Sequence, residues 1–200
     1  FDVVCYEGTQ TVQDIRHSMN KAPEMMWIKN RDSGVYNWSV FHSGLGDNRF
    51  KLYLNTTQDY SNDQAAWNNT APTSTHFTLG TDATANKSGD SFIAMLFASV
   101  DGISKVGYYT GNGGTQTITT GFQPRFIIIK RTDTNGAWYV IDTVRGWGTG
   151  GTEDDKYLEL NTTTAQADYN FGQPESNGFS FNTSAVSNNN NGKYIYYAHA

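Results

Sequence analysis

Residues that favour helices are scarce in this sequence. The 200-residue chain contains only 7 Leu, and charged residues make up 16% of it, whereas a typical globular domain is about 25% charged. Leu, Lys and Glu are among the strongest helix formers. Their scarcity excludes a helical bundle.

Positive charge is also in short supply. Lys and Arg number 14 against 19 Asp and Glu, which gives a formal net charge of −5. Nucleic-acid-binding domains present a basic patch or stripe to the phosphates. We therefore expect no nucleic-acid partner.

The sequence has a single cysteine and no long apolar segment. Cys5 is the single cysteine, so no intramolecular disulfide can form, although secreted modules of this size often carry several. No run of about 18 apolar residues is present, so we expect no membrane insertion. Phe1 opens directly in strand-like sequence without the charged and apolar regions of a signal peptide, which indicates a mature chain or a fragment of a longer one.

Thr, Asn, Gly and aromatic residues take the place of the missing types. The chain has 24 Thr, 19 Asn and 20 Gly, and 14% of its residues are aromatic. Thr and aromatic residues suit a pleated, half-buried surface, and Asn and Gly supply turns with positive φ. Hydrophobic residues make up 37% of the chain, enough for a core that excludes disorder. The composition predicts an all-β fold.

The sequence contains one pattern twice. Trp38–Phe41 corresponds to Trp138–Ile141 at an offset of 100, and Leu52–Thr57 corresponds to Leu158–Thr163 at an offset of 106. Self-similarity at a fixed period is the sequence signature of repeated structural units. The other matching pairs are Val3–Thr9 with Val106–Asn112, Pro23–Asp32 with Pro124–Asp133, and Gly89–Ala94 with Gly192–Tyr197. We predict two domains, 1–101 and 102–200.

Each half is predicted to contain about six strands, because short β-branched and aromatic runs alternate with turn residues. We place the strands near 2–7, 24–30, 36–43, 50–55, 75–80 and 91–99, and near 105–110, 125–131, 137–142, 156–161, 178–183 and 193–199. Two architectures fit: an independent β-sandwich in each half, or strands from both halves in one pseudo-symmetric double sheet. We favour two tandem antiparallel sandwich units of jelly-roll or lectin-like type, packed closely.

Two hairpins are predicted with particular clarity. Met25–Ile28 and Phe126–Ile129 are continuous apolar runs, which are typical of strands covered on both faces. Asp32–Gly34 and Asp133–Gly136 follow them and are typical hairpin turns. We expect each apolar run to pair with the strand after its turn.

Catalytic and metal-binding patterns are weak. No set of His, Cys or carboxylate residues has the spacing of a metal site, and no Gly-X-Ser-X-Gly elbow supports a hydrolase triad. The glycine-rich segments are followed by strands, whereas a phosphate cradle needs a helix after it. We predict no catalytic residues, no metal and no cofactor.

Aromatic residues in loops are the remaining candidates, because sugar rings stack on Trp and Tyr. Trp38 and Trp138 recur at equivalent positions, so we assign them to the core. Trp147 has no counterpart and lies in a glycine-rich loop, and Trp67 lies in a long polar loop roughly where Tyr169 falls in the second half. The predicted glycan-stacking residues are therefore Trp147, Trp67 and Tyr169.

Three segments carry a resemblance to a known family. They are Tyr109–Gly113, Gly121–Arg131 and Leu158–Thr163. They resemble an uncharacterised repeat domain of virion proteins from marine bacteriophages, often found beside concanavalin-like lectin modules in tail or fibre proteins. The first half matches more loosely, since Met19–Pro23 replaces the Gly-Phe-X-Pro step. The resemblance implies a place in the virion and identifies no catalytic residue.

These observations favour a non-enzymatic adhesion module of a virion, in a tail fibre or surface appendage, that binds host cell-surface glycans. Its expected partners are other virion proteins, including further copies of itself, and its expected location is the particle surface. One alternative is a capsid or tail decoration protein with a purely structural role. The other is a glycan-degrading enzyme.

Overall fold

The computed structural model describes residues 1–148, 155–181 and 186–200. The chain divides into two compact units, unit 1 (Phe1–Ala98) and unit 2 (Ser99–Ala200). Every strand pair among the described residues is antiparallel, and the predicted all-β fold is confirmed. In this part of the chain no helix is long and apolar enough to cross a membrane.

Unit 1 is built from two antiparallel sheets. Its elements are β1 (Asp2–Glu7), β2 (Gln13–Arg16), β3 (Met25–Asn30), β4 (Ser39–His42), β5 (Phe50–Tyr53), β6 (Ser61–Asn62), α1 (Gln64–Trp67), β7 (His76–Leu79), α2 (Ala83–Asn86) and β8 (Ser91–Phe97). The large sheet has the order β1-β8-β3-β4-β5-β6, and β2 pairs with β7 in the small one. Ile15 and Phe77 of the small sheet and Met26 and Phe92 of the large sheet belong to one buried cluster. The unit is therefore a sandwich.

Unit 2 has a sandwich of its own. Its described strands are β9 (Ser104–Thr110), β10 (Gln116–Thr119), β11 (Phe126–Arg131), β12 (Trp138–Asp142), β13 (Asp155–Glu159), β14 (Ala167–Tyr169), β15 (Gln173–Glu175), β16 (Gly178–Phe181) and β17 (Lys193–His199). The large sheet has the order β14-β13-β12-β11-β17-β9, and the small one β10-β16-β15. Ile118 and Phe179 of the small sheet share a core with Ile127 and Tyr196 of the large one. Listed from the first strand of each unit, the two large sheets have the same order: the first strand, the last strand, and then the third to sixth strands of that unit.

The predicted strands are all present, with ends shifted by a few residues. The end of the predicted strand 178–183 lies outside the described residues at 182–183. The two hairpins are confirmed by the β3–β4 and β11–β12 pairings. Three short strands with few apolar residues, β2, β6 and β10, were not predicted, and neither were β14 and β15.

A buried asparagine fixes the segment that follows β1. The Asn86 side chain is fully buried. Its Oδ1 accepts hydrogen bonds from the Thr9 amide at 2.8 Å and from Gln13 Nε2 at 2.6 Å. Its Nδ2 donates to the carbonyl oxygens of Thr11 at 2.7 Å and Gly80 at 2.6 Å. A side-chain amide has two donors and one acceptor oxygen with two lone pairs, so these bonds satisfy it completely.

Two further residues complete this arrangement. The Tyr6 hydroxyl donates to the Ala85 carbonyl at 2.6 Å, and burial raises the pKa of Tyr6 well above its ordinary value. A Cβ on Gly8 would lie 2.2 Å from the Lys87 carbonyl oxygen, so only glycine allows this close approach. We call Tyr6, Gly8 and Asn86 the first-strand anchor of unit 1.

Unit 2 has a first-strand anchor of the same chemistry in Tyr109, Gly111 and Asn188. The Tyr109 hydroxyl donates to the Ser187 carbonyl at 2.6 Å. Asn188 Nδ2 donates to the Gly114 carbonyl at 2.6 Å. A Cβ on Gly111 would lie 2.3 Å from the backbone oxygen of the residue after Asn188. The Tyr-X-Gly pattern that recurs in the sequence thus marks the anchor.

Replacing Tyr109 by Phe should lower the free energy of unfolding by about 1–3 kcal/mol, because the buried Ser187 carbonyl loses its donor. Urea denaturation of the purified protein measures the change. Tyr108→Phe is the matched control, since Tyr108 is 70% exposed in the same strand and its loss should cost less than about 0.5 kcal/mol. Equal effects of the two substitutions would contradict the anchoring role of Tyr109.

Candidate functional site

A groove of about 700 Å³ lies on unit 2. It forms where the start of β11 meets the ends of β12 and β17, because Phe126 pairs with Asp142 on one side and with His199 on the other. Its lining consists of Arg125, Phe126, Val140, Asp142, Val144, Arg145, Tyr197, His199 and Ala200. Residues distant in sequence are therefore brought together by strand register alone.

The floor of the groove is apolar and aromatic. Phe126, Val140 and Tyr197 alternate along their strands with core residues such as Ile127 and Ala198, so their side chains point away from the core of unit 2. The Phe126 and Tyr197 rings meet edge to face at 6.5 Å. Burial raises the pKa of Tyr197 and outweighs a hydrogen bond with Ser104 that lowers it, so the hydroxyl stays neutral.

The rim is a 3₁₀ turn, Thr143–Arg145, held in place by backbone hydrogen bonds. The Thr143 amide donates to the Arg125 carbonyl at 2.9 Å. Asp142 accepts from the Arg145 amide at 2.9 Å and also pairs with the Arg145 guanidinium. Val144, at the centre of the turn, is 74% exposed. The rim thus presents fixed charged groups beside an exposed aliphatic side chain.

The corresponding corner of unit 1 has different chemistry. In unit 1, Met25 pairs with His42 and Phe97, at the register where Phe126 of unit 2 pairs with Asp142 and His199. All three unit 1 residues are buried. The combination of aromatic floor and charged rim is therefore a property of unit 2.

Trp67 does not lie where we expected it. We predicted that Trp67 lies in a long polar loop and stacks on a glycan, but its exposed fraction is 0%. The helix α1 places the indole in the core, where it packs edge to face on Phe41 at 5.8 Å and donates from Nε1 to the Phe50 carbonyl at 3.1 Å. A ring buried in this way has no face for a sugar.

Trp147 is also buried, with 1% of its surface exposed. Its amide donates to the Asp142 carbonyl at 3.1 Å, and its ring packs against Phe179 at 6.3 Å. Tyr169 is half-buried and packs on Phe171 at 5.2 Å. None of the three predicted stacking residues lines the groove, and the expectation that the two tryptophans are exposed was wrong.

A family model matches the chain. The model described as Domain of unknown function (DUF7483) matches residues 1–200, the whole chain. The chain belongs to the DUF7483 family. No curated protein and no solved structure matches the chain.

Unit 1 of this DUF7483 chain contains a buried ionic network. Lys51 has 3% of its side chain exposed, and its Nζ lies 2.6 Å from Oδ2 of both Asp63 and Asp82. Burial disfavours the Lys51 ammonium, but hydrogen bonds to the two carboxylates outweigh burial and raise the pKa of Lys51. Asp82 also accepts from the hydroxyl of Thr84 at 2.5 Å, and its pKa is lowered because these hydrogen bonds outweigh its burial.

Both carboxylates of the network have a second task. Asp63 caps α1 by accepting from the Ala65 amide, and Asp82 caps α2 by accepting from the Thr84 amide, each at 3.0 Å. Side-chain oxygens at such positions satisfy amides that have no partner within the helix. Lys51 therefore joins two capped helix starts, which is a structural role. Within the described residues, no group of three or more His, Cys, Asp and Glu could hold a metal ion.

The DUF7483 chain replaces this network by tyrosines in unit 2. By strand register, Tyr157 occupies the position of Lys51, and Tyr169 that of Asp63. The Tyr157 ring packs on Phe171 at 5.3 Å. Tyr139 packs on Phe171 at 5.1 Å, and burial, with the nearby charge of Glu159, raises the pKa of Tyr139 to about 12. The same framework thus accepts charge in one unit and aromatic packing in the other.

Lys51→Met should cost about 3–5 kcal/mol of unfolding free energy at pH 7, because it leaves a buried carboxylate unpaired. The lowered pKa of Asp82 means that this stabilisation is complete above its unfolded pKa and is lost as the pH falls through the lower folded value. The difference between wild type and variant should therefore shrink below about pH 4. Urea denaturation at pH 7, 5 and 3 measures it.

Lys156→Met is the matched control. Lys156 and Asp168 form an ion pair in which both side chains are nearly half exposed, and such pairs contribute less than about 1 kcal/mol. A loss for Lys51→Met as small as that of the control, or one that does not vary with pH, would contradict a stabilising role of the Lys51–Asp63–Asp82 network.

Proposed function

We propose that this chain is a non-enzymatic adhesion module of a virion and that the groove on unit 2 binds host cell-surface glycan. One observation carries the proposal: an aromatic floor, formed by Phe126 and Tyr197, lies beside the fixed polar groups of Asp142 and Arg145. The sugar would stack in this groove and not on Trp67 or Trp147, which are buried.

The groove has the chemistry that sugars need. The apolar C–H face of a pyranose packs on aromatic rings, while carboxylate and guanidinium groups form directional hydrogen bonds with hydroxyls. Its volume of about 700 Å³ lies within the range of about 300–1,000 Å³ typical of small-molecule sites. A bound sugar would stack on the Tyr197 ring and form hydrogen bonds with the Asp142–Arg145 pair.

The groove is also preorganised. Phe126, Val140 and Tyr197 lie in paired strands, and the rim turn is hydrogen-bonded to the start of β11. Ordering a flexible side chain on binding costs about 0.5–1.5 kcal/mol, and side chains fixed by a sheet avoid part of that cost. A rigid site of this kind suits a module that must recognise a surface without changing shape.

The virion assignment is supported by the sequence. The segments Tyr109–Gly113, Gly121–Arg131 and Leu158–Thr163 resemble domains of phage virion proteins, and the single cysteine suits a chain that does not depend on disulfides. We further propose that the two units arose by duplication. The common strand order of the two large sheets supports this origin.

An assembly role is the second candidate, and one observation favours it. β9 is the last strand of its sheet, and Tyr108 at its middle is 70% exposed. An exposed edge strand can pair with a strand of another chain. A further copy of this protein or another virion protein would then add to β9. A protein that remains monomeric in sedimentation experiments at high concentration would exclude self-assembly through this edge.

Tyr197→Ala should weaken binding to any glycan that the wild-type protein retains on an array by about tenfold or more, because the stacking surface of the floor is lost. Titration calorimetry with the retained glycan measures the affinity. Tyr108→Ala is the matched control, since it removes an exposed tyrosine that does not line the groove. An equal loss of affinity in both variants, or the absence of any glycan retained by the wild type, would contradict glycan binding in the groove.

A further inference from the structure

We infer that the groove on unit 2 selects glycans that carry an oxyanion, either a carboxylate or a sulfate, and that Arg125 is the residue that binds this group. The inference rests on the proposed function, since it names the class of sugar that the same groove takes. It arises from the distribution of charge around the groove.

The groove is positive in an acidic protein. Its lining side chains include two arginines, Arg125 and Arg145, and one carboxylate, Asp142, so these side chains carry one net positive charge. The whole chain has a formal net charge of −5. Local charge of the opposite sign to the rest of the surface attracts anions to that place and favours them over neutral competitors.

The two arginines of the groove differ in what they contact. Arg145 is neutralised by its ion pair with Asp142. Arg125 is exposed and has no ion-pair partner among the residues that the structure describes. Its backbone is fixed at both ends, because its amide donates to the His199 carbonyl at 2.8 Å and its carbonyl accepts from Thr143. Arg125 thus carries an exposed guanidinium on a fixed backbone.

A guanidinium of this kind matches an oxyanion in geometry as well as in charge. Its N–H groups form two parallel hydrogen bonds with a carboxylate or a similar group. The neighbouring floor of Phe126 and Val140 is apolar and provides a surface on which the sugar ring can pack. An acidic sugar would therefore stack on the floor and place its charged group against Arg125.

Unit 1 provides an internal comparison. The residue after the proline that precedes β3 is Glu24, while the residue after the proline that precedes β11 is Arg125. Both residues make the same backbone contact, since the Glu24 amide donates to Phe97 as the Arg125 amide donates to His199. The fold at this position therefore accepts either sign of charge, and the cation occurs beside the aromatic floor of unit 2.

The test uses a panel of acidic oligosaccharides with a neutral form of each. Trigalacturonate and sialyllactose represent carboxylates, and a sulfated galactobiose represents sulfates; their neutral forms are the carboxyl-reduced and the desulfated sugars. We expect the wild-type protein to bind at least one acidic sugar about tenfold more tightly than its neutral form. This preference should decrease as the salt concentration is raised from about 0.05 to 0.5 M, because mobile ions screen the ionic contact.

Arg125→Gln should remove the preference by weakening the acidic sugar about tenfold while changing the neutral sugar less than twofold. Arg125→Lys should retain part of the preference, because lysine keeps the positive charge but lacks the parallel N–H groups of the guanidinium. Arg31→Gln removes an equal charge from an exposed position of unit 1 and should change neither affinity.

The outcomes separate the two proposals. Equal binding of acidic and neutral sugars, or an equal loss of both in Arg125→Gln, would overturn the assignment of Arg125 and leave glycan binding in place. A protein that binds no member of the panel and no sugar on the array would overturn both. Binding of sulfated but not carboxylated sugars, lost in Arg125→Gln, would support the inference and identify the oxyanion.

Discussion

The architecture of each unit depends on one buried asparagine. A buried amide is costly unless its hydrogen-bonding groups find partners, and Asn86 finds four. These partners hold the chain between β1 and β2, which belong to different sheets. The Tyr6 and Gly8 contacts then fix the strand against the end of α2. The anchor therefore couples the two layers of the sandwich at the point where the chain passes between them.

Around this constant anchor the interior chemistry varies. Lys51 and Tyr157 occupy the same register, yet one lies in an ionic network and the other in an aromatic cluster. The corner that holds Arg125 and Asp142 in unit 2 holds Glu24 and His42 in unit 1. A framework whose stability comes from backbone pairing and from its anchor leaves other positions free to carry a site. This explains why the two units carry different side chains at this corner although both share a strand order.

Much of the fold was predictable and most of the site was not. Runs such as Phe126–Ile129 predict strands because β-branched and aromatic side chains suit a covered sheet. β2 was missed because Ile15 is its single apolar residue, which gives no periodic signal. Trp67 and Trp147 were expected to be exposed because their neighbours in sequence are polar or glycine, but burial is decided by neighbours in space. The groove was missed for the same reason, since Arg125, Asp142 and Tyr197 meet only through strand register.

The pairing of the first strand with the last has a topological consequence. Asp2 lies opposite Leu96, and Ser104 opposite His199, and paired Cα atoms of antiparallel strands are about 4.5–5.5 Å apart. The chain thus enters and leaves each unit at neighbouring points of one sheet edge. Units with adjacent ends tolerate circular permutation and can be inserted into a surface loop of another protein. The ends of each unit therefore have a spacing that matches the two ends of a loop that receives an insertion.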